Sequence, residues 1–203
     1  MTGAPQQKPW LLYQMQGSLQ KGLPENHYGF FFRSDVQASC PICGSRLKCI
    51  GSRYRICIRE DGEKIYIIIR RLRCKNKDCR IIHHELPDLL VPYKRHASVS
   101  IEKILTFPGS PVTSDIGAED GTFRAWNRWF RRLAGNWRGC LQAINHRMGQ
   151  ASEEDVVSPS QSLLQALYSL VGSHSGWLAR IVRSVVNAGL WVHTRSEWLP
   201  DPP

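Results

Sequence analysis

Two cysteine pairs decide the fold, and they stand in the segments CPICG (residues 40–44) and CKNKDC (residues 74–79). Two cysteines three positions apart can direct their thiolates to one ion, and the glycine that follows them lets the backbone turn back beneath it. Four thiolates from two such pairs complete a closed tetrahedral shell, so we expect one structural Zn²⁺ held by Cys40, Cys43, Cys74 and Cys79.

The second pair has four residues between its cysteines instead of the usual two. This wider gap leaves His83 or His84 as an alternative to Cys79 for the fourth ligand. A full shell has no open position for water, so we do not expect catalysis at the metal. The two histidines are adjacent, and adjacent side chains on a strand point to opposite faces, so a structural role suits them better than one catalytic site.

The chain between the cysteine pairs predicts a β-hairpin. Residues 53–59 alternate apolar residues with arginine and cysteine, residues 60–63 contain the Asp-Gly dipeptide favoured in hairpin turns, and residues 64–73 form an isoleucine-rich return strand. The hairpin would bring the two pairs together, and we therefore assign residues 36–97 to a zinc ribbon. Residues 1–35 are expected to be a lead-in with a strand at Tyr28–Phe32.

The charge of the chain favours a polyanionic partner. It has 203 residues, 27 Lys and Arg against 17 Asp and Glu, and a net charge of +10. Residues 1–10 do not resemble a secretory signal, and the longest apolar run, residues 65–69, is far shorter than the roughly 20 residues of a membrane helix. With seven cysteines, two pairs of them at ligand spacing, these features predict a cytoplasmic, nucleoid-associated protein with no membrane partner.

Residues 98–148 are expected to be a helix-turn-helix-like domain. We predict a helix from Ser98 or Ser100 to Leu105, a break at 107–111, a short helix at Thr113–Ala118 and a longer helix from Thr122 to Leu133 or beyond. At about 100° per residue the longer helix has an aromatic face, formed by Phe123, Trp126, Trp129, Phe130, Leu133 and Trp137. Its opposite face would contact DNA through Arg124, Arg128, Arg131 and Arg132, unless these are merely solvated arginines.

A second basic cluster surrounds the hairpin, and only some of its members can share a face because strand residues alternate. A solvated sheet face is the alternative to phosphate contact. Our candidates for phosphate contact are Arg53, Arg55, Arg71, Arg73, Lys94 and Arg95.

The remaining chain is expected to hold a linker at 149–161 and, within 162–203, two helices and a tail. We place the helices at about Ser162–Val171 and Gly176–Leu190. The second helix has an apolar stripe that suits packing within the chain, with a dimer or partner face as the alternative.

Several segments resemble a bacterial family of unknown function that is associated with mobile genetic elements. They are CPICG (40–44), RRLRC (70–74), HHELPD (83–88), VPYKRH (91–96), TFRAW (122–126) and WVHTRS (191–196). The resemblance covers about residues 38–198, and its first half is similar to the zinc-ribbon plus helix-turn-helix front end of certain insertion-sequence transposases. The wider second cysteine pair departs from that pattern. The resemblance implies DNA binding near a transposase, without catalysis.

Together these features predict an α+β fold, a zinc-ribbon hairpin followed by a helix-turn-helix-like helical bundle. The predicted function is a zinc-containing DNA-binding protein, either an accessory to transposition or a regulator of a mobile element. Its expected partners are double-stranded DNA and a transposase or other mobile-element protein, with a second copy bound through the C-terminal helices as the alternative to packing of those helices within the chain. Residues 149–203 are too few for a nuclease domain and are expected to be helical, and their acids fall only in the expected linker and tail. The alternatives are a zinc-stabilised protein–protein adaptor and a metal-dependent hydrolase.

Overall fold

A long hairpin is the largest unit of a mixed sheet in the computed structural model of the chain, with its second strand at the centre of the sheet. The structure describes residues 10–13, 17–20, 29–32, 39–110, 115–149 and 162–191. Within these residues the strands are β1 (Trp10–Tyr13), β2 (Gly17–Gln20), β3 (Gly29–Phe32), β4 (Leu47–Ile58), β5 (Lys64–Cys74) and β6 (Ile82–Pro87). The helices are α1 (Ser98–Thr106), α2 (Asp120–Arg147), α3 (Leu163–Val171) and α4 (Trp177–Asn187).

The predicted hairpin is confirmed. β4 and β5 pair antiparallel along their length, with a register shift between Cys49 and Gly51. β6 pairs antiparallel with the C-terminal end of β5. β3 joins β5 in parallel and corresponds to the strand predicted at Tyr28–Phe32; β2 pairs antiparallel with β3, and β1 runs parallel to β6. The α+β class is therefore confirmed. The predicted linker lies outside the described residues apart from Gly149, and the expected C-terminal tail lies wholly outside them.

One face of the hairpin belongs to the same hydrophobic core as the four helices. Cys57, Ile67 and Ile69 are fully buried and belong to a single hydrophobic cluster that also contains side chains of α1, α2, α3 and α4. Aromatic rings fill its centre, where Trp137 lies edge-on to Trp129 at 5.1 Å and stacks on Trp191 at 5.6 Å between ring centroids. The regions assigned to a ribbon (36–97), a helical domain (98–148) and C-terminal helices therefore share one core.

The C-terminal helices are close to their predicted bounds, and a network of polar side chains ties them to α1. Both Glu102 oxygens accept hydrogen bonds from the start of α4, from Gly176 N at 2.7 Å and Leu178 N at 3.0 Å. Arg180 donates to four carbonyl groups at the end of α3 and in the turn that follows, those of Val171, Gly172, His174 and Ser175. The apolar stripe of α4, from Trp177 to Val186, lies in the core of the same chain, so it does not offer an exposed docking face.

The helical part differs from expectation before α2. The described part of the predicted helix Thr113–Ala118, residues 115–118, forms turns and bends. The physical reason is contact with the hairpin turn: Gly117 N donates to Glu60 O at 2.8 Å and Ala118 N to Ile116 O at 2.7 Å, so these amides are not used in a helix. The expected helix-turn-helix is accordingly not confirmed. α2 itself begins at Asp120 and reaches Arg147, well beyond Leu133.

We predict that Gly117→Ala destabilises the fold. A Cβ atom at Gly117 would lie 2.5 Å from the Cα and 2.6 Å from the N of Gly62, both backbone atoms that cannot move aside alone. We expect a loss of about 1–3 kcal/mol in the free energy of unfolding, measured by chemical denaturation. Gly121→Ala is the matched control, because a Cβ there meets nothing within 4 Å and alanine favours the helix. Equal stability of the two variants would contradict the close approach.

We also predict that Glu102→Ala destabilises the protein more than an ordinary helix-surface substitution. The change leaves the amides of Gly176 and Leu178 without their acceptor, and Glu102 is only 6% exposed. Unsatisfied buried donors cost about 1–3 kcal/mol each. Glu102→Gln keeps one acceptor oxygen and should lose less. Thermal melting of the two variants tests this order, and a Glu102→Ala protein as stable as the wild type would refute it.

Candidate metal centre and basic surface

The first cysteine pair sits in a tight knuckle before β4. Gly44 N donates to Cys40 O at 2.8 Å and Cys40 N to Ser45 O at 2.8 Å, and these bonds fold residues 40–45 back on themselves. Gly44 has φ +69°, a left-handed conformation that glycine adopts without strain. The knuckle therefore directs both thiols to the same side.

The second pair encloses a wider turn that Asn76 organises. The carbonyl of Asn76 accepts from Cys79 N at 3.3 Å and Arg80 N at 3.0 Å, and its side chain accepts from Asp78 N at 2.9 Å. Arg80 has φ +45° where the chain leaves the turn. The two additional residues are thus taken up in the turn, and Cys79 comes round beside the other thiols.

The four predicted ligands come together as expected. Their sulfur atoms all lie within 4.8 Å of one another, with Cys40 and Cys79 at 3.8 Å and Cys43 and Cys74 at 3.4 Å. In a tetrahedral site with Zn–S bonds of about 2.3 Å, the sulfur atoms stand roughly 3.8 Å apart. The four cysteines could therefore hold a metal ion, with no need for a histidine in place of Cys79.

His83 lies next to this cluster and His84 points to the other face of β6. Their partners on β5 are Leu72 for His83 and Arg71 for His84, which confirms the expected alternation. His83 Nε2 is 3.4 Å from Cys40 Sγ, and burial lowers the pKa of His83 to about 4, so the ring is neutral at neutral pH. In the tautomer with hydrogen on Nε2, the ring donates to the Cys40 sulfur.

The thiols differ in acidity. Burial raises the pKa of Cys74 to about 12 and also raises that of Cys40, whereas hydrogen bonds from Ser45 lower the pKa of the exposed Cys43 to about 6. Because metal ligation requires thiolates, a bound cation must displace protons from the two buried thiols. The donor set suits a soft or borderline cation that binds thiolates strongly.

The predicted faces of α2 are both present. Trp126, Trp129, Phe130, Leu133 and Trp137 are buried, while Arg124, Arg128, Arg131 and Arg132 are exposed. An open cavity of about 410 Å³ lies over the arginine face, lined by Pro108, Arg124, Asn127, Arg128 and Arg131. Residues 121–149 contain no Asp or Glu. Sequence reasoning missed Asn127 and Pro108, although the spacing of Asn127 from Arg124 and Arg131 places all three on one face of a helix.

The hairpin cations divide between the two faces of the sheet. Arg70 is paired with Glu85 on the side away from the helices, and Arg59 with Glu63 in the turn. By register, Arg53, Arg55 and Arg71 share the face that carries Ile67 and Ile69. Arg55 Nη2 donates to Lys94 O at 2.8 Å, and Lys94 Nζ lies 4.5 Å from the centre of the Trp129 ring. Arg73 and Arg95 are exposed.

Residues 40–126 match the model of a domain of unknown function, DUF6431. The match begins at the first metal-site cysteine and ends at Trp126 in α2, so it includes all four cysteines, the hairpin and α1. No curated protein and no solved structure matches the chain. In the described part of the chain, no helix has the length and apolar character needed to cross a membrane.

We predict that the cysteine cluster binds one metal ion per chain and that this ion supports the fold. Mass spectrometry under native conditions should show one bound ion, and Cys79→Ser should lower both metal content and melting temperature. Cys49→Ser is the control, because Cys49 is exposed and lies outside the cluster. A Cys79→Ser protein that keeps its metal would instead favour His83 as a ligand.

Proposed function

We propose that this protein is a zinc-containing DNA-binding protein without catalytic activity of its own. The observation that carries the proposal is the arginine face of α2, meaning Arg124, Arg128, Arg131 and Arg132. These four side chains are exposed on a helix whose opposite face is locked into the core by tryptophans. A rigid helix that presents arginines over an open cavity suits insertion into a DNA groove.

The chemistry of this face fits base reading as well as phosphate contact. Arginine can donate two parallel hydrogen bonds to guanine, and Asn127, on the same face, is the residue type that pairs with adenine. Asn127 donates to Phe123 O at 3.0 Å in the free protein, so it would have to reorient to reach a base. The net charge of +10 adds a long-range attraction to phosphates.

The metal of the site is proposed to be Zn²⁺. Four thiolates form a closed shell of the structural kind, which leaves no position for a reacting water. This argues against the hydrolase alternative. The adaptor alternative would use the stripe of α4, and the burial of that stripe in the core does not favour it.

We further propose a role as an accessory to transposition or as a regulator of a mobile element, in the cytoplasm and on the nucleoid. This part rests on the resemblance described above. A transposase or another mobile-element protein is the protein partner that it implies. A homodimer remains a prediction, and it would need a surface other than the buried stripe of α4.

Duplex DNA binding, measured by fluorescence anisotropy at two salt concentrations, tests the proposal. The variant Arg124→Ala/Arg128→Ala/Arg131→Ala should lose at least about tenfold in affinity, because each lost phosphate or base contact removes binding energy. The control, Arg46→Ala/Lys77→Ala/Arg147→Ala, removes the same charge from exposed positions away from this face. The affinity of this control for duplex DNA should be closer to that of the wild type than to that of the triple variant.

A charge-conserving change separates base reading from simple attraction. Arg128→Lys keeps the positive charge but loses the planar fork, so it should reduce discrimination between a duplex enriched from a random library and a scrambled one. If the wild type does not bind duplex DNA even at low salt, the proposed function is wrong.

A further inference from the structure

Three arginines of the hairpin are held side by side on one face. Arg53 stands opposite Ile69, Arg55 opposite Ile67 and Arg71 opposite Gly51, and directly opposed residues project to the same side of a sheet. They are close enough to repel one another. Besides burial, which is the larger cause, Arg71 lowers the pKa of Arg53, and Arg53 lowers that of Arg55, which falls to about 10.

The loop beside these arginines is fixed in a strained shape. Tyr93 has φ +64°, a conformation that side-chain-bearing residues rarely adopt, with a cost of order 1–3 kcal/mol. The loop is held at its ends by a bridge between Leu90 and Ala97 and by Ile58 N donating to Arg95 O at 2.8 Å. Strain of this kind persists where the surroundings enforce it and is frequent at binding sites.

The same loop connects the hairpin arginines to α2. Lys94 accepts from Arg55 through its carbonyl, and its ammonium group lies over the ring of Trp129. Arg132 follows Trp129 by three positions and is therefore its neighbour on the helix surface, so Arg132 is the edge of the arginine face that borders Trp129. The two basic regions therefore adjoin, with Lys94 between them.

We infer that Arg53, Arg71 and Lys94 form a phosphate clamp that grips one DNA strand at the edge of the groove in which α2 lies. This inference rests on the proposed function and gives it an orientation. An α-helix with its side chains is about 10–12 Å across and the major groove is about 12 Å wide, so groups at the flank of an inserted helix meet the phosphates that border the groove. A phosphate there would also relieve the repulsion among the arginines.

The proposed complex uses two surfaces of the protein for two kinds of DNA contact. The arginine face of α2 contacts base edges, and the clamp contributes contacts that carry no sequence information. Arg55 is a positioning residue in this arrangement, because its guanidinium already holds the Lys94 carbonyl.

The test is the salt dependence of binding by Arg53→Gln/Arg71→Gln. Each lost phosphate contact lowers the slope of log affinity against log salt by about 0.9, so the double variant should lose about 1–2 in slope. It should weaken binding equally to an enriched duplex and to a scrambled one. The control, Lys77→Gln/Arg147→Gln, removes the same charge from exposed sites in the turn between Cys74 and Cys79 and at the C-terminal end of α2. It should keep the wild-type slope.

The outcomes separate this inference from the proposed function. If Arg124→Ala/Arg128→Ala/Arg131→Ala abolishes binding while Arg53→Gln/Arg71→Gln behaves like its control, the clamp is wrong and DNA binding stands. If the wild type ignores duplex DNA, both fall. Should the double variant fail to fold, ethylation interference with the wild-type protein decides. The clamp predicts that ethylating a group of phosphates on one strand, at the edge of the groove that α2 occupies, weakens binding. If ethylation of those phosphates has no effect, the clamp is wrong.

Discussion

The register of β4 on β5 is the constraint on which the rest of the structure depends. It places Cys57, Ile67 and Ile69 on the face that the helices cover, and it brings the knuckle before β4 next to the turn after β5. Because side chains alternate along a strand, a slip of one residue would turn this apolar set to the opposite face and move the arginines with it. The core, the cysteine cluster and the basic surface thus share one geometric origin.

Contacts of the hairpin turn fix the position of the residues that precede α2. Gly62 and Gly117 touch through their backbones, Gly117 N binds Glu60 O, and Lys103 of α1 forms an ion pair with Glu60. At the other side of α1, Glu102 caps the start of α4. The sheet therefore fixes where α2 begins, and the tryptophans of α2 fix how it is rotated. In the proposed complex with DNA, the fixed orientation of this face would avoid the ordering cost of a mobile segment.

The hairpin, α2 and the cysteine cluster could be predicted because each depends on local periodicity or spacing. The turn at residues 115–118 could not, since the sequence there suits a short helix and only contact with Gly62 and Glu60 excludes it. The same limit applies to Glu102 and Arg180: both are charged residues in amphipathic segments, and only the fold shows that they satisfy backbone groups of other elements. The four residues between Cys74 and Cys79 form a turn that Asn76 organises, and the sequence alone does not show these hydrogen bonds. Which hairpin arginines share a face followed from the register, which the bulge at Cys49–Gly51 shifts.

Lys94 and Arg55 are both half-buried. Burial lowers the pKa of Lys94 to about 8 and that of Arg55 to about 10, so the fold carries positive charge where water solvates it poorly. Tyr93 adds backbone strain in the same loop. Arg55 has the Lys94 carbonyl as a partner and Lys94 has the Trp129 ring, and an anion bound nearby would offset the remaining repulsion and desolvation. The tryptophan core holds α2 against this loop, so the cations keep these positions, and this is a physical reason to propose them as part of a binding surface.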